Sequence, residues 1–165
     1  LERGLDYQLN ASQSGTIKIG GYYHTGRFES FETNRSSTGL SSLYGVIDQK
    51  LSGSLSFFVR AGFNPVSERS VVTRYVDIGM AWQPFGKTRP QDLMGIAYSY
   101  TRFSNSYVES ENLVSNSRSE QVLEITHYTQ LTEEWMMQPS LQWIINPINA
   151  TEDALVGGLR LFRKF

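Results

Sequence analysis

The stretch Met137–Asn146, MQPSLQWIIN, decides the fold class of this chain. Apolar residues or proline occupy every odd position from 137 to 145, whereas positions 138, 140 and 142 carry Gln, Ser and Gln. Such period-two alternation predicts a β-strand with one apolar and one polar face. Its ten residues also match the ~9–11 residues that a tilted strand needs to cross a bilayer.

The same alternation recurs along most of the chain, so the sequence predicts about eight strands of roughly ten residues. Leu5–Asn10 resembles the end of one more strand, Arg74 interrupts an otherwise apolar row, and the facing of residues 40–49 is ambiguous. Beside 137–146, the predicted strands are 16–25, 40–49, 55–63, 72–82, 94–100, 123–130 and 155–165.

The connections between these strands alternate in length. Short links at 50–54, 83–91 and 131–134 alternate with an intermediate segment at 64–70 and longer polar segments at 26–39, 104–119 and 146–153. Short turns at one end and longer loops at the other are the plan of an outer-membrane barrel. The pattern therefore predicts an all-β fold, an antiparallel transmembrane β-barrel.

Composition bounds the function. The chain has 165 residues, enough for one domain over 1–165, with nine Phe, nine Tyr and three Trp and no cysteine. The lack of cysteine excludes disulfides and thiolate metal sites, and a net charge of −1 gives no basic face for nucleic acid. We find no nucleophile elbow, phosphate loop or histidine pair at ligand spacing. We therefore expect no enzyme activity, no cofactor, no metal and no nucleic-acid partner.

A soluble β-sandwich or a lipocalin-like barrel would alternate in the same way, with its apolar face inward. Charged residues that recur strand after strand on the polar face favour a water-filled lumen instead. No signal peptide precedes Leu1, so we expect that it was removed or that the chain is a fragment. The recurring charges are Lys18, Arg60, Asp77, Glu124, Arg160 and Lys164.

Six segments carry a family resemblance. They are GGYYHTGRF (20–28), YGVIDQKL (44–51), LSFFVRAGFNP (55–65), YVDIGMAW (75–82), LEITHYTQLTEEWMMQPSLQWIINP (123–147) and ALVGGLRLFRKF (154–165). In this order and spacing, they resemble the carbohydrate-selective porins of the OprB type. The resemblance implies a sixteen-stranded barrel in the outer membrane of a Gram-negative bacterium, of which this chain would be the C-terminal half.

The same resemblance implies the partners. These would be sugars as solutes, outer-membrane lipids, the barrel-insertion machinery, the missing N-terminal half of the barrel and, as a possibility, further copies of the chain. The C-terminal residues Leu159, Leu161 and Phe165 resemble an outer-membrane insertion signal.

A channel that prefers sugars should offer polar groups for hydroxyls and aromatic rings for C–H faces. The candidate pore-lining residues with polar or charged ends are Arg60, Asp77, Glu124, Gln138, Gln142, Asn146 and Arg160, and the aromatic candidates are Tyr75 and Tyr128, with Tyr22 and Phe58. The lipid-facing set is expected to include Ile17, Leu55, Ile78, Ile96, Ile125 and Leu141.

Together with the strand pattern, the resemblance implies an outer-membrane porin for passive, carbohydrate-selective diffusion of small sugars. Two alternatives stay open. One is a closed eight-stranded barrel with a structural or anchoring role, whose interior side chains would fill. The other is a soluble sugar-binding β-domain.

Overall fold

The computed structural model describes residues 1–33, 35–113 and 118–164, and most of these residues are in strands. The strands are β1 (Glu2–Asn10), β2 (Gln13–Glu29), β3 (Ser36–Lys50), β4 (Leu55–Phe63), β5 (Val72–Trp82), β6 (Leu93–Phe103), β7 (Ser119–Gln130), β8 (Trp135–Ile145) and β9 (Ala154–Arg163). One 3₁₀ turn, Ser67–Arg69, and one short helix, α1 (Asn105–Ser110), lie in connections between strands.

The nine strands form one sheet in sequence order, and each strand pairs antiparallel with the next. Among the described residues, β1 pairs only with β2 and β9 only with β8. The sheet is therefore an up-and-down meander with two unpaired edges, the form of an open sector of a barrel.

The all-β antiparallel prediction is confirmed, but the strand count is nine rather than eight, because the whole of β1 joins the sheet. The predicted loop 26–39 was too long. β2 and β3 continue past a register shift after His24 and pair up to Glu29 and Ser36, which leaves a connection of residues 30–35. The Ser- and Thr-rich segment before Gly39 carries no apolar alternation, so its strand conformation rests on pairing with β2 alone.

The register sorts the side chains into two faces, because residues directly opposite in a sheet lie on the same side. One row crosses all nine strands without a charged member. We call this side the apolar face. Its central row is Leu5, Ile17, Ile47, Val59, Ile78, Tyr98, Leu123, Trp143 and Leu155.

The six residues expected to face lipid all lie on the apolar face. The opposite side, which we call the polar face, carries the predicted lumen charges Arg60, Asp77, Glu124 and Arg160. Its central row is Gly4, Lys18, Val46, Arg60, Asp77, Ser99, Val122, Ile144 and Ala154.

The described residues show the reverse of the burial pattern of a soluble domain, because polar side chains are buried and large apolar side chains are exposed. Val108 is the one buried hydrophobic residue among those described, whereas the buried polar residues include Asp77, Asp92, Ser104 and Thr129. On the apolar face, large side chains such as Leu155 are exposed, by 70% in that case. A soluble sandwich would bury these rows in a core. A membrane barrel would cover them with lipid, and the structure fits the second arrangement.

Gln49 is a polar residue on the apolar face, and a glycine on the neighbouring strand allows it to pair with Tyr7. Gly15 lies in register between Tyr7 and Gln49. A Cβ at Gly15 would approach the Tyr7 hydroxyl to 2.5 Å, so its absence lets the ring cross the strand. The Tyr7 hydroxyl then donates to Gln49 Oε1, and Gln49 Nε2 donates to the Ser14 and Lys50 carbonyls, so both ends of this amide are paired.

The connections at the two ends of the sheet differ in length. At one end lie residues 11–12, 51–54, 83–92 and 131–134, and at the other end lie 30–35, 64–71, 104–118 and 146–153. The link 83–92 departs from the expected alternation, since it is longer than 30–35. No helix in the described residues is both long enough and apolar enough to span a membrane.

Candidate functional site

The centre of the polar face carries a charge pair. Arg60 on β4 lies directly opposite Asp77 on β5, and Arg60 Nη1 is 3.6 Å from Asp77 Oδ2. The Tyr75 hydroxyl donates to the same carboxylate oxygen at 3.0 Å. The Asp77 residue is 9% exposed, whereas half of the Arg60 side chain is exposed. The structure thus brings together three of the predicted pore-lining residues.

This cluster keeps unused hydrogen-bonding capacity. A guanidinium has five N–H donors, and its 3.6 Å approach to Asp77 is a single-atom contact. Asp77 Oδ1 also has no hydrogen-bond partner among the described residues, but this atom is buried and out of reach of a solute. The Arg60 guanidinium also lies 4.4 Å from the centre of the Phe58 ring. The cluster therefore presents free Arg60 donors above the Phe58 ring, beside a buried carboxylate oxygen.

A second polar pair lies on β7 and β8. Glu124 and Gln142 are directly opposite each other, and Gln142 Nε2 donates to Glu124 Oε2 at 2.6 Å. Asp77 and Glu124 are two strands apart and offset by two residues along the strands, which places them about 12 Å from each other on the same face. Both pairs lie on the polar face of the sheet.

A third group lies nearer to the short-turn end. Gln138 is directly opposite Arg160, and Gln138 Nε2 donates to Thr126 Oγ1 at 3.1 Å. The Tyr128 ring lies 6.2 Å from the Phe162 ring, and its hydroxyl donates to the Met136 sulfur. Phe162 is the cross-strand partner of Met136 and lies on the polar face. This aromatic pair was not foreseen as a unit from the sequence.

Two predicted sets lie elsewhere. Asn146 is one residue beyond β8, with φ 51°, and its backbone N–H donates to Asp153 Oδ1 at 3.0 Å. It therefore closes the connection to β9 and is not part of the strand wall. Leu159 and Leu161 lie exposed on the apolar face, opposite Pro139 and Met137. Phe165, the third residue of the predicted insertion signal, lies outside the described residues.

The sequence reasoning missed a contact of Tyr44, on the strand whose facing was ambiguous. Tyr44 lies on the polar face, and its hydroxyl donates to Glu2 Oε2. Gly20 lies in register between the two. A glycine between a tyrosine and a carboxylate on neighbouring strands is the signal that could have indicated this contact, once the register of β1 was known.

Asp92 forms a buried polar cluster at the short-turn end, immediately before β6. It is 1% exposed and accepts hydrogen bonds from Thr129 Oγ1 at 2.9 Å and from the Gln130 backbone at 3.4 Å. Arg89 Nε lies 3.0 Å and His127 Nε2 3.3 Å from Asp92 Oδ2. The cluster ties the link 83–92 to the end of β7.

The protonation of Asp92 follows from two opposed effects. Burial by itself raises the pKa of the Asp92 carboxyl, but the hydrogen bonds from Thr129 and Gln130, the charge of Arg89 and the contact with His127 together lower it below its ordinary value. The group is thus held as a carboxylate. Because its partners are all inside the molecule, the cluster serves to anchor the link rather than to bind a solute.

Metal-binding chemistry has no visible basis in the part of the chain that the structure describes. Within residues 1–33, 35–113 and 118–164, no three His, Cys, Asp or Glu side chains are grouped so that they could hold a metal ion.

Comparison with known proteins agrees with this geometry. The sequence pattern of the family described as carbohydrate-selective porin, OprB family, matches residues 4–165. A solved structure, the high-pH structure of Pseudomonas putida OprB, is similar with a TM-score of 0.89 at 18% sequence identity, over 99% of this chain and 47% of that one. This chain thus spans about half the length of that relative, and no curated protein matches its sequence. Because the family pattern covers nearly the whole chain, the chain belongs to the OprB family of carbohydrate-selective porins.

Proposed function

We propose that this chain forms part of the wall of an outer-membrane porin through which small sugars diffuse passively. The observation that carries the proposal is the division of one sheet into two unlike faces. The row through Ile78 is apolar across all nine strands, whereas the next side chain along β5, Asp77, belongs to a charge pair on the other face. Lipid outside and water inside a barrel require this division.

The polar face suits a solute that is neutral but rich in hydroxyl groups. Arg60 has N–H donors that its contact with Asp77 does not use, and Glu124 on β7 is an acceptor. Such groups replace part of the hydration shell of a polar solute as it passes. Because donors and acceptors are balanced across neighbouring strands, the wall binds hydroxyls without a strong preference for ions of one sign.

Aromatic rings would contribute the second part of sugar contact. A pyranose ring has apolar C–H faces, which can pack on an aromatic side chain. Phe58 lies beneath Arg60, and Tyr128 lies beside Phe162 nearer to the short-turn end. A sugar that moves along the wall would therefore meet the Arg60 guanidinium stacked on Phe58 at the centre, and the rings of Tyr128 and Phe162 nearer to the short-turn end.

The complete pore requires more strands than this chain supplies. The edges at β1 and β9 have unpaired backbone groups in the described structure, and each such group costs several kcal/mol in hydrocarbon. A half-barrel of this kind would be completed by further strands of the same protein, in line with the 47% coverage of the solved relative. The expected setting is the outer membrane of a Gram-negative bacterium. There the barrel-insertion machinery would recognise Leu159, Leu161 and Phe165 as the insertion signal. Complete barrels would associate as homo-oligomers.

The two alternatives fit less well. A closed eight-stranded anchor needs its first and last strands to pair, yet the described sheet has nine strands and β1 is not hydrogen-bonded to β9. Bacterial single-chain barrels also have even strand numbers. A soluble sugar-binding domain would need a buried apolar core, and Val108 alone is buried among the described hydrophobic residues. A channel rather than an enzyme is the function that the family and these faces favour.

The test is swelling of liposomes that contain the full-length protein. We expect the liposomes to swell faster in an isotonic monosaccharide than in a zwitterionic amino acid of similar size. Arg60→Gln should alter this ratio and shift the reversal potential toward cations, since it removes a positive charge from the wall. Arg163→Gln is the matched control, because it makes the same change on the apolar face. No swelling in sugar, or equal effects of the two variants, would contradict the proposal.

A further inference from the structure

Two arginines interrupt the apolar face near the long-loop end of the sheet. Arg74 on β5 and Arg102 on β6 are directly opposite each other. Arg74 is also opposite Phe63 on β4, which in turn is opposite Leu43 on β3. The two cations thus lie between Phe63 on β4 and Ser119 on β7, one step beyond the row that contains Val76 and Tyr100.

This pair lacks a counter-charge. No hydrogen bond or ion pair joins either guanidinium to a residue that the structure describes. Side chains directly opposite in an antiparallel pair have Cβ atoms about 4.5–5.5 Å apart, and like charges at that spacing destabilise the sheet. An external anion between these two unpaired arginines would therefore stabilise this part of the face.

Arg163, on the same face, differs from this pair because its charge is balanced by a neighbouring carboxylate. It lies at the short-turn end, opposite Trp135. Its Nη2 is 3.3 Å from Glu134 Oε2, and its guanidinium carbon lies 5.6 Å from the centre of the Trp135 ring. The protein supplies a carboxylate and an aromatic ring at this end, and it supplies no carboxylate within ion-pair distance of Arg74 or Arg102 among the described residues.

A recess of about 610 Å³ opens beside the two arginines. Its strand-borne lining includes Phe63 and Tyr100 together with both cations, and its loop-borne lining includes Glu32 and Ser106. Glu32 is the one carboxylate of the lining, and its Oε1 already accepts a hydrogen bond from Ser106 Oγ at 2.7 Å. The recess therefore has a net positive charge and aromatic walls.

We propose that Arg74 and Arg102 bind the phosphate of a lipid headgroup in the outer leaflet. Longer loops of such barrels are extracellular, so the long-loop end of the apolar face lies at the outer interface. Guanidinium groups bind phosphate oxygens through two parallel hydrogen bonds. The exposed side chains of Val76 and Ile78 continue along β5 from Arg74 toward the membrane centre, where the acyl chains of the same lipid would lie.

This inference rests on the proposed membrane placement of the sheet, and not on the passage of sugars. A lipid is the occupant that fits, because the cations and the aliphatic row are on one continuous face. Free phosphate would gain nothing from the aliphatic row. A second copy of the chain would have to bring an acidic group to this position.

The test uses the full-length protein in detergent, titrated with lipid A, a diphosphorylated glycolipid, and followed by native mass spectrometry. We expect the double variant Arg74→Gln/Arg102→Gln to bind lipid A at least tenfold more weakly than the wild type. Arg163→Gln is the control and should bind as the wild type does. Heat-modifiable mobility on gels checks that each variant is folded, and sugar-driven liposome swelling should be the same for the double variant and the wild type.

A second measurement keeps the proposal testable on the unmodified protein. Lipid A stripped of its phosphates should bind the wild type at least tenfold more weakly, and millimolar inorganic phosphate should not displace intact lipid A. Equal binding of the stripped lipid, or unchanged binding by the double variant, would overturn the proposal and leave two arginines that only extend into water. Displacement by inorganic phosphate, or a protein dimer lost in the double variant, would overturn it in favour of a free anion or a second copy.

Discussion

A lysine placed on one or the other face of β7 tests the assignment of the two faces. Val122 and Leu123 are neighbours in the sequence and so lie at nearly the same depth. Leu123 is on the apolar face between Tyr98 and Trp143, whereas Val122 is on the polar face between Ser99 and Ile144. The variants Leu123→Lys and Val122→Lys therefore introduce the same charge into the same strand and differ in the face that receives it.

The cost of each lysine in free energy of unfolding follows from its depth in the bilayer and from the side of the sheet on which it lies. The row through Val122 contains Asp77, which is the sixth residue of the eleven in β5 and hence lies at the middle of that strand. A lysine on the lipid face at the bilayer midplane costs ~2–4 kcal/mol. On the polar face a lysine would remain in water, with Glu124 two residues away on the same side, and should change stability by less than about 0.5 kcal/mol. The two folding equilibrium constants should thus differ by roughly 30- to 700-fold.

The assay is reversible unfolding of the full-length protein in lipid vesicles by guanidinium, read by tryptophan fluorescence. Trp82, Trp135 and Trp143 supply the signal. We expect a clearly lower unfolding midpoint for Leu123→Lys and a wild-type midpoint for Val122→Lys. Equal costs for the two variants, or a greater cost for Val122→Lys, would refute the assignment of the faces.

Three further predictions concern the wall, the short-turn end and the edges. Arg160→Ala should change single-channel conductance or sugar-driven swelling without changing the unfolding midpoint, because Arg160 lies on the polar face opposite Gln138; wild-type values in both transport assays would make it a structural residue. Because the pKa of Asp92 is lowered in the folded protein, its stabilisation is present at neutral pH and is lost as the pH falls below about 4. The unfolding midpoints of wild type and Asp92→Asn should therefore differ at pH 6 and converge toward pH 3, and a difference that grows on acidification would contradict this. Residues 1–165 expressed alone should not give a monomeric open pore, since β1 and β9 have unpaired edges in the described sheet; a stable monomer that conducts sugars would refute this.

The facing of most strands could be predicted from the sequence, because period-two alternation assigns each side chain to a side. β8 shows this most clearly, with Leu141 on one face and Gln142 on the other. β3 could not be assigned in this way, since Leu43 and Ile47 on one face are matched by Tyr44 and Val46 on the other. Its facing became clear only from the pairing with β2 and β4.

Partners across strands could not be predicted, because alternation fixes the face of a residue but not its register. Arg60 and Asp77 were both expected on the polar face, yet their direct contact depends on the turn that connects β4 to β5. The Asp92 cluster joins residues that are 37 positions apart in the sequence, and no local pattern indicates it. The contact between Glu2 on β1 and Tyr44 on β3 could not be predicted for the same reason. It forms because both residues are in register with Gly20, which lies between them on β2.

The central claim is that the polar face lines a water-filled pathway for sugars. The most direct test is whether a reagent dissolved in water reaches two neighbouring positions on β8, one on each face. The chain contains no cysteine, so Leu141→Cys and Gln142→Cys each introduce a single reactive thiol into it. In liposomes that contain the full-length protein, a charged thiol reagent that cannot cross lipid should modify Gln142→Cys rapidly, and a saturating sugar should slow this reaction. The same reagent should leave Leu141→Cys unmodified. Rapid modification of Leu141→Cys, with Gln142→Cys protected, would contradict a water-filled sugar pathway along the polar face.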